Sequence, residues 1–274
     1  MGTGERTEGT VALVGTLDTK GDEAGHFRDA LREAGLDVVI VDVGSPLSSH
    51  GVADVPASEV ATAAGVSMTG FAGFGSRAEA VSVMGSGASR ILLDRLGRAE
   101  IHGVVGFGGS GGTSACSAAM RALPLWVPKV LVSTVASGDT RPYVGTSDIV
   151  LVPSIVDIAG VNRISERVYR KASAMAGALV RDYRRPRQEV REVPLVAATM
   201  FGVTTPCVDS ARRQLEQRGY EVLVFHATGV GGQQLEALAA TRELDLVLDV
   251  TTTELADEVA GGIFSAGPDR LTNA

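Results

Sequence analysis

The chain predicts an α/β protein built from two Rossmann-like, doubly wound parallel-sheet domains. Three observations carry that prediction. Short Val/Ile/Leu-rich runs alternate with longer amphipathic segments along the whole chain. The runs are apolar at consecutive rather than alternate positions, as in strands covered on both faces, and sheets covered on both faces are parallel. A strand-helix-Gly-strand pattern also recurs at an offset of 184 positions, which lays Val11 on Leu195, Leu31 on Leu215, Gly35 on Gly219 and Val38 on Val222.

Taken in order, residues 11–14, 38–43, 104–107, 130–133 and 149–152 read as strands of the first domain. Residues 23–33, 78–96, 114–122 and 164–183 read as its helices, the last stopped by a basic turn and Pro186. Between the second strand and the 78–96 helix lies an excursion, 44–75, rich in Gly, Ser, Ala and Pro. Only 58–64 looks helical there, with Ser58 as its expected N-cap. The first domain is therefore expected over 1–185. A charged, proline-containing linker over 186–193 follows, then a second domain over 194–274 with strands at 194–199, 222–225 and 246–250.

Composition narrows the function. The 274 residues carry a formal net charge of −7, which argues against nucleic acid, since phosphate neutralisation needs clustered Lys and Arg. The one basic run, "RDYRRPR", sits at a helix end and reads as a solvated terminus. Two cysteines about ninety positions apart and four scattered histidines give neither a disulfide framework nor a zinc site. The polar opening "MGTGERTEGT" has no signal-peptide character, and no apolar run reaches the length of a membrane span. A cytoplasmic protein with no membrane partner is expected.

Ligands of open parallel sheets bind beyond the carboxyl ends of the strands. The segments to weigh are therefore "GTLDTKG" (15–21), "GFGGSGGTS" (106–114), "STVASGDT" (133–140) and "YVGTSD" (143–148). Gly106, Gly108 and Gly111 match G-x-G-x-x-G between a strand and a helix, where free amides at a helix N-terminus meet an anion. A tight strand-to-helix turn without ligand satisfies the same pattern. The next strand ends in Ser133 and Thr134, not in the acid that would hold a nicotinamide ribose, which ranks NAD and FAD below other phosphate ligands. "GTLDTKG" is not a Walker A loop, because Lys20 follows Thr19 directly. Asp18 and Lys20 suit a metal or ribose acceptor and a phosphate clamp, or else a helix cap and a solvated lysine. Asp18, Asp139 and Asp148 are the candidate Mg²⁺ ligands, and turn formation is the commoner explanation of Asp139 and Asp148 taken singly. A Ser110 hydrolase would need His226, which lies in the second domain. Cys116 and Cys207 read as small buried residues rather than nucleophiles.

The combination of "GTLDTKG", "GFGGSGGTS", "VSTVASGDTRPYVGTSDI", "DIAGVNRIS", "FGVTTPCV" and "LDVTTTELADEVAGGIFSAGPDRL" resembles the Tm-like ATP-binding family, named after a plant tobamovirus-resistance protein. The resemblance runs from Val11 to about Leu271. It implies a two-domain Rossmann-like protein, a homodimer, whose first domain binds ATP and for which no reaction is established. Matching motifs put the nucleotide contacts on Gly15, Thr16, Asp18 and Lys20, on Gly108, Gly109, Ser110, Gly111, Gly112 and Thr113, and on Ser133, Thr134, Ser137, Gly138 and Asp139. Family members continue past the stretch matching "GGIFSAGPDRLTNA", so the second domain is expected to be truncated.

The leading expectation is a cytoplasmic ATP-binding protein using ATP and Mg²⁺. One alternative is an ATP-dependent enzyme acting on a small metabolite between the domains. Its substrate would be held by Thr204, Thr205, Cys207, Gly231, Gly232, Thr252 and Glu254, which follow second-domain strands. A structural role for those segments is the competing explanation. The other alternative is a partner-binding module with a vestigial nucleotide site.

Overall fold

The computed structural model describes residues 7–47, 51–67, 70, 74–186 and 193–273. Residues 187–192 of the expected linker and residues 48–50, 68–69 and 71–73 of the expected excursion lie outside the described residues. The chain forms two compact units, Met1–Pro186 and Arg187–Ala274.

The first unit runs β1 (Gly9–Gly15), α1 (Leu17–Glu33), β2 (Leu36–Asp42), α2 (Ala57–Ala63), α3 (Arg77–Gly97), β3 (Gly103–Gly108), α4 (Ser110–Arg121), β4 (Lys129–Ser133), α5 (Arg141–Val144), β5 (Val150–Pro153) and α6 (Arg163–Tyr183). Its five strands are all parallel, in the order β2-β1-β3-β4-β5. Successive strand residues point to opposite faces, so each strand feeds two cores. Val11 and Leu13 of β1 join Leu17, Phe27, Leu31, Tyr169 and Val180 under α1 and α6. Ala12 and Val14 join Met84, Leu92, Cys116 and Met120 under α3 and α4. Phe27 stacks on Tyr169 at 4.6 Å and meets Phe107 edge-on at 5.8 Å, pinning α1 between the sheet and α6. α6 starts on a capping box: Asn162 Oδ1 accepts the Ile164 and Ser165 amides, and Ser165 Oγ accepts the Asn162 amide.

The chain leaves β1 for β2 on one side and, after α3, returns to β3 on the other. That reversal makes the gap between the carboxyl ends of β1 and β3 the topological switch point, where open α/β sheets take ligands.

The second unit runs β6 (Leu195–Met200), a 3₁₀ turn (Gly202–Thr204), α7 (Thr205–Gln217), β7 (Glu221–His226), α8 (Val230–Ala239), β8 (Leu246–Leu248) and α9 (Thr253–Ala260). Its parallel order, β7-β6-β8, repeats the first three strands of the other sheet. The repeat extends to the turns: Gly35 (φ +83°) and Gly219 (φ +87°) both sit in the left-handed region just after a helix, where a Cβ is disfavoured.

Three local expectations are corrected. α1 starts at Leu17, not residue 23, because a kink at Lys20 (φ −132°, ψ 27°) joins an extra turn to the helix. α4 starts at Ser110, not residue 114, so the glycine loop is itself the helix N-terminus. Ser58 lies inside α2, whose cap position is held by Pro56 without a side-chain bond. Among the described residues no helix is long and apolar enough to cross a membrane.

Candidate functional site

At the end of β1 the turn into α1 is fastened from β2. Thr16 is the N-cap of α1 but makes no capping bond with its side chain. The buried carboxylate of Asp42, the last residue of β2, instead accepts the amides of Leu17 at 3.0 Å and Gly44 at 2.8 Å. A carboxylate at a helix N-terminus is favoured by the helix dipole. Asp42 is an acid the sequence reading passed over. Asp18 stands exposed at the rim, its Oδ2 accepting the Ser45 amide at 3.2 Å. Lys20 is half-buried at the kink.

The glycines divide into two kinds. A Cβ on Gly15 would run into the Phe107 ring, and one on Gly108 would come within 2.8 Å of the Gly112 Cα. Both are required by close packing of strand against turn and helix. Gly109 is different: a Cβ there meets only Thr134 Oγ1, at 3.9 Å. At Gly111 the nearest atom is the Arg77 guanidinium, at 3.4 Å from the Cβ position. Gly109 is the N-cap of α4, no side chain caps that helix, and its first turn carries no acid.

Arg77, the first residue of α3, therefore lies against the first turn of α4. It pairs with no carboxylate among the described residues. A cation at a helix N-terminus is electrostatically unfavourable until an anion comes between them. Beside it is a cavity of about 380 Å³, whose wall includes Thr16, Asp18, Gly44, Arg77, Gly111 and Gly112.

Of the residues expected to contact a nucleotide, Thr16, Asp18, Gly111 and Gly112 thus line one cavity, while Ser110 is exposed and lines a neighbouring concavity between α3 and α4. Thr113 and Ser133 are buried, with hydroxyls 2.7 Å apart, and they lock α4 to β4. Thr134 donates its amide to the Gly108 carbonyl at 3.3 Å and completes that junction. Gly15, Gly108, Gly109, Lys20, Ser137, Gly138 and Asp139 are not part of the cavity wall, though Gly109 is only two residues before Gly111, which is. Asp139 is exposed and bidentate to Arg141, whose guanidinium holds its carboxyl below the usual carboxylate range.

Asp148 does not belong with the other acids. It precedes β5, so it lies at the amino edge of the sheet, where its carboxylate takes the Lys129 ammonium at 2.5 Å and the Trp126 amide at 2.7 Å. Among the described residues no group of three or more His, Cys, Asp or Glu side chains is placed to hold a metal ion. Cys116 is fully buried, and burial pushes its thiol up to about 12. Cys207 is exposed, not buried as expected; Val208 is the one residue of α7 in the core.

In the second unit the corresponding crevice, between β6 and β8, is filled by its own side chains. The Thr204 and Thr251 hydroxyls are 2.7 Å apart, and Thr199 Oγ1 accepts the Thr251 amide at 3.0 Å. Glu254 is buried, and its Oε1 accepts the Gly229 and Gly232 amides at 2.7 and 2.9 Å. Arg270 reaches Glu254, Glu236 and Asp249 at 2.9 to 3.1 Å. A Cβ on Gly231 would collide with the His226 backbone. Thr204, Gly231, Gly232 and Glu254, expected to hold substrate, are instead committed to internal packing and hydrogen bonds. Thr205, Cys207 and Thr252 stand half-exposed or exposed at the starts of α7 and α9 and are not drawn into that network.

Residues 9–185 match the N-terminal domain of an uncharacterised protein family (UPF0261), and residues 193–274 match its C-terminal domain. A UPF0261 protein of Clostridium tetani is 46% identical over 266 residues, covering 96% of this chain and 65% of that protein. A UPF0261 protein of Rhizobium meliloti is 42% identical over 261 residues, covering 95% and 64%. The ToMV resistance protein Tm-1(GCR237) of Solanum lycopersicum is 40% identical over 291 residues, covering 99% of this chain and 38% of the tomato protein. The chain thus spans just under two thirds of these bacterial relatives and well under half of the tomato one. Among solved structures, a Streptomyces sp. SF2575 glycosyltransferase complexed with thymidine diphosphate aligns at 11% identity and a TM-score of 0.23, over 89% of this chain and 72% of that one. A score that low carries no argument. With both domain models matched in order and relatives at 40% identity or more along nearly its whole length, the chain belongs to the UPF0261 family, which remains uncharacterised.

Proposed function

We propose that the first unit binds ATP at the β1/β3 switch point, with the phosphates on the free amides at the start of α4 and against Arg77. The observation that carries this reading is the Arg77 guanidinium lying against the uncapped first turn of α4 without a carboxylate partner among the described residues. An anion between them satisfies the cation and the helix amides together. The open space at Gly109 lets a phosphate approach the backbone. Asp18, on the cavity wall, would share a Mg²⁺ ion with phosphate oxygens in this reading, since that ion needs only one or two carboxylates. Asp139 and Asp148 are occupied by Arg141 and Lys129. NAD is disfavoured, since Asp42, the acid ending β2, is buried beneath the β1 turn that its Oδ1 fastens.

Thermal denaturation with and without ligand tests the proposal. At a hundredfold excess over Kd, ATP contributes about 2.7 kcal/mol to the native state, a readily measured rise in Tm. Gly109→Val should fold like the parent and lose the ATP shift, and Arg77→Ala should weaken ATP at least tenfold. Equal shifts with NAD, or an undiminished ATP shift in Gly109→Val, would refute the assignment.

A further inference from the structure

The cavity assigned to the nucleotide changes character along its length. On α3 its wall is formed by Arg77, Ala80, Val81 and Met84. Those positions are spaced i, i+3, i+4 and i+7, so they make one stripe on one face of the helix. From the first to the last of them the helix axis advances about 10 Å, at 1.5 Å per residue. Over that distance the stripe passes from a guanidinium to three apolar side chains.

Separate contacts fix the two ends. At the charged end, the Cβ position of Gly111 is 3.4 Å from the Arg77 guanidinium, that of Gly112 is 3.6 Å from Thr16 Oγ1, and Gly44 lies against the Asp18 carboxylate. At the other end, Val43 and Met84 are buried in the core cluster under α3 and α4, and the half-buried Ala80 and Val81 pack against that same cluster. Val43 directly precedes Gly44, so the apolar wall is shared between α3 and the segment leaving β2. A phosphate gains nothing from such a surface, whereas a flat heteroaromatic ring is stabilised by burying its faces there.

We propose that the apolar end is the nucleoside subsite of the cavity, where the adenine ring of ATP packs on Val43, Ala80, Val81 and Met84. The inference rests on the ATP reading above and adds which wall holds the ring. The cavity, of about 380 Å³, accommodates a nucleoside. Ala80 and Val81 then decide between a nucleotide and a bare polyphosphate, a choice in which Arg77 takes no part because both ligands offer it the same anion.

The test is calorimetric titration of the whole chain with ATP, tripolyphosphate and adenosine. Tripolyphosphate has the same run of three phosphates and more negative charge, so a preference for ATP comes from the nucleoside. ATP should bind at least tenfold tighter. Ala80→Leu fills the apolar end without adding charge and should weaken ATP at least tenfold while leaving tripolyphosphate unchanged. If the larger side chain disturbs α3, the smaller change Val81→Ser still decides, and it should weaken ATP several-fold with tripolyphosphate again unchanged. Arg77→Ala should weaken both phosphate ligands. Tripolyphosphate bound as tightly as ATP, or ATP affinity unmoved in both α3 variants, would overturn the subsite and leave the phosphate assignment standing. Adenosine bound by the parent and lost in Ala80→Leu, with neither ATP nor tripolyphosphate bound, would refute the phosphate assignment and leave the subsite. No binding of any of the three ligands would refute both.

Discussion

The two units place the same strand order around a switch point and treat that point in opposite ways. In the first, the β1 and β3 turns meet across glycines and a threonine, and the arginine beside the start of α4 has no carboxylate partner among the described residues. In the second, Thr199, Thr204 and Thr251 bridge the crevice, and one buried arginine gathers three carboxylates beside it. Topology locates a crevice; side chains decide whether it stays open. Polar residues after a strand are thus weak evidence of a ligand until it is known whether they bond to each other.

The comparison breaks most directly at Arg270. Arg270→Met leaves Glu236, Asp249 and Glu254 facing one another, and uncovering a buried charge costs about 3 to 5 kcal/mol. Urea denaturation and amide exchange should show that loss in the second unit, with the ATP shift retained. A variant as stable as the parent would mean that the cluster is not structural.

The next effect distinguishes the two kinds of glycine in one loop. Gly108→Ala forces a Cβ against the α4 backbone and should cost about 1 to 3 kcal/mol in urea titration. The neighbouring Gly109→Ala, whose Cβ meets nothing closer than 3.9 Å, should cost less, only the loss of a glycine N-cap. Similar losses at both positions would erase the distinction.

A smaller change should follow from unzipping the closed crevice. Thr204→Val removes the hydroxyl that meets Thr251 and caps the Phe201 turn, and a lost buried hydrogen bond costs about 1 kcal/mol. A gain of stability instead would indicate that the threonine bridge is strained.

The smallest effect is a pH dependence confined to the first unit. His102 Nδ1 accepts the Thr10 amide at 3.1 Å, which needs the neutral ring, and burial followed by the nearby Arg184 charge lowers its pKa. The unfolded chain then binds a proton before the folded one as pH falls. Stability should be fullest above the ordinary imidazole value of about 6.5 and decline below it, down to the folded pKa. Replacing His102 with Asn should flatten that slope in urea midpoints measured across mildly acidic pH, and an unchanged slope would assign it to carboxylates.

Much of the fold was legible because its signals are local. Consecutive apolar residues marked the buried strands, and the offset repeat marked Gly35 and Gly219, which do share a backbone conformation. The acid at Asp148 was misplaced by composition alone: its position ahead of β5 already put it at the amino edge of a parallel sheet. Arg77 was missed, although a signal lay beside it. Ser76 and Glu79 have the S-x-x-E spacing of a helix start, and Ser76 Oγ does accept the Glu79 amide, so the beginning of α3 at Arg77 was readable. What Arg77 faces was not, since no spacing rule connects it to Gly111.

By itself, then, the sequence determined the alternation of strand and helix, the parallel sheets, the two units and the turns that carry glycine, because each follows from the periodicity and backbone preferences of neighbouring residues. Only the tertiary structure decided which glycines make room for packing and which leave space for a ligand. It alone set Arg77 against α4, separated Asp148 from Asp18, and closed the second crevice with threonines and Arg270. Those outcomes depend on strand order and on contacts between segments far apart in the chain, and local pattern places no constraint on either.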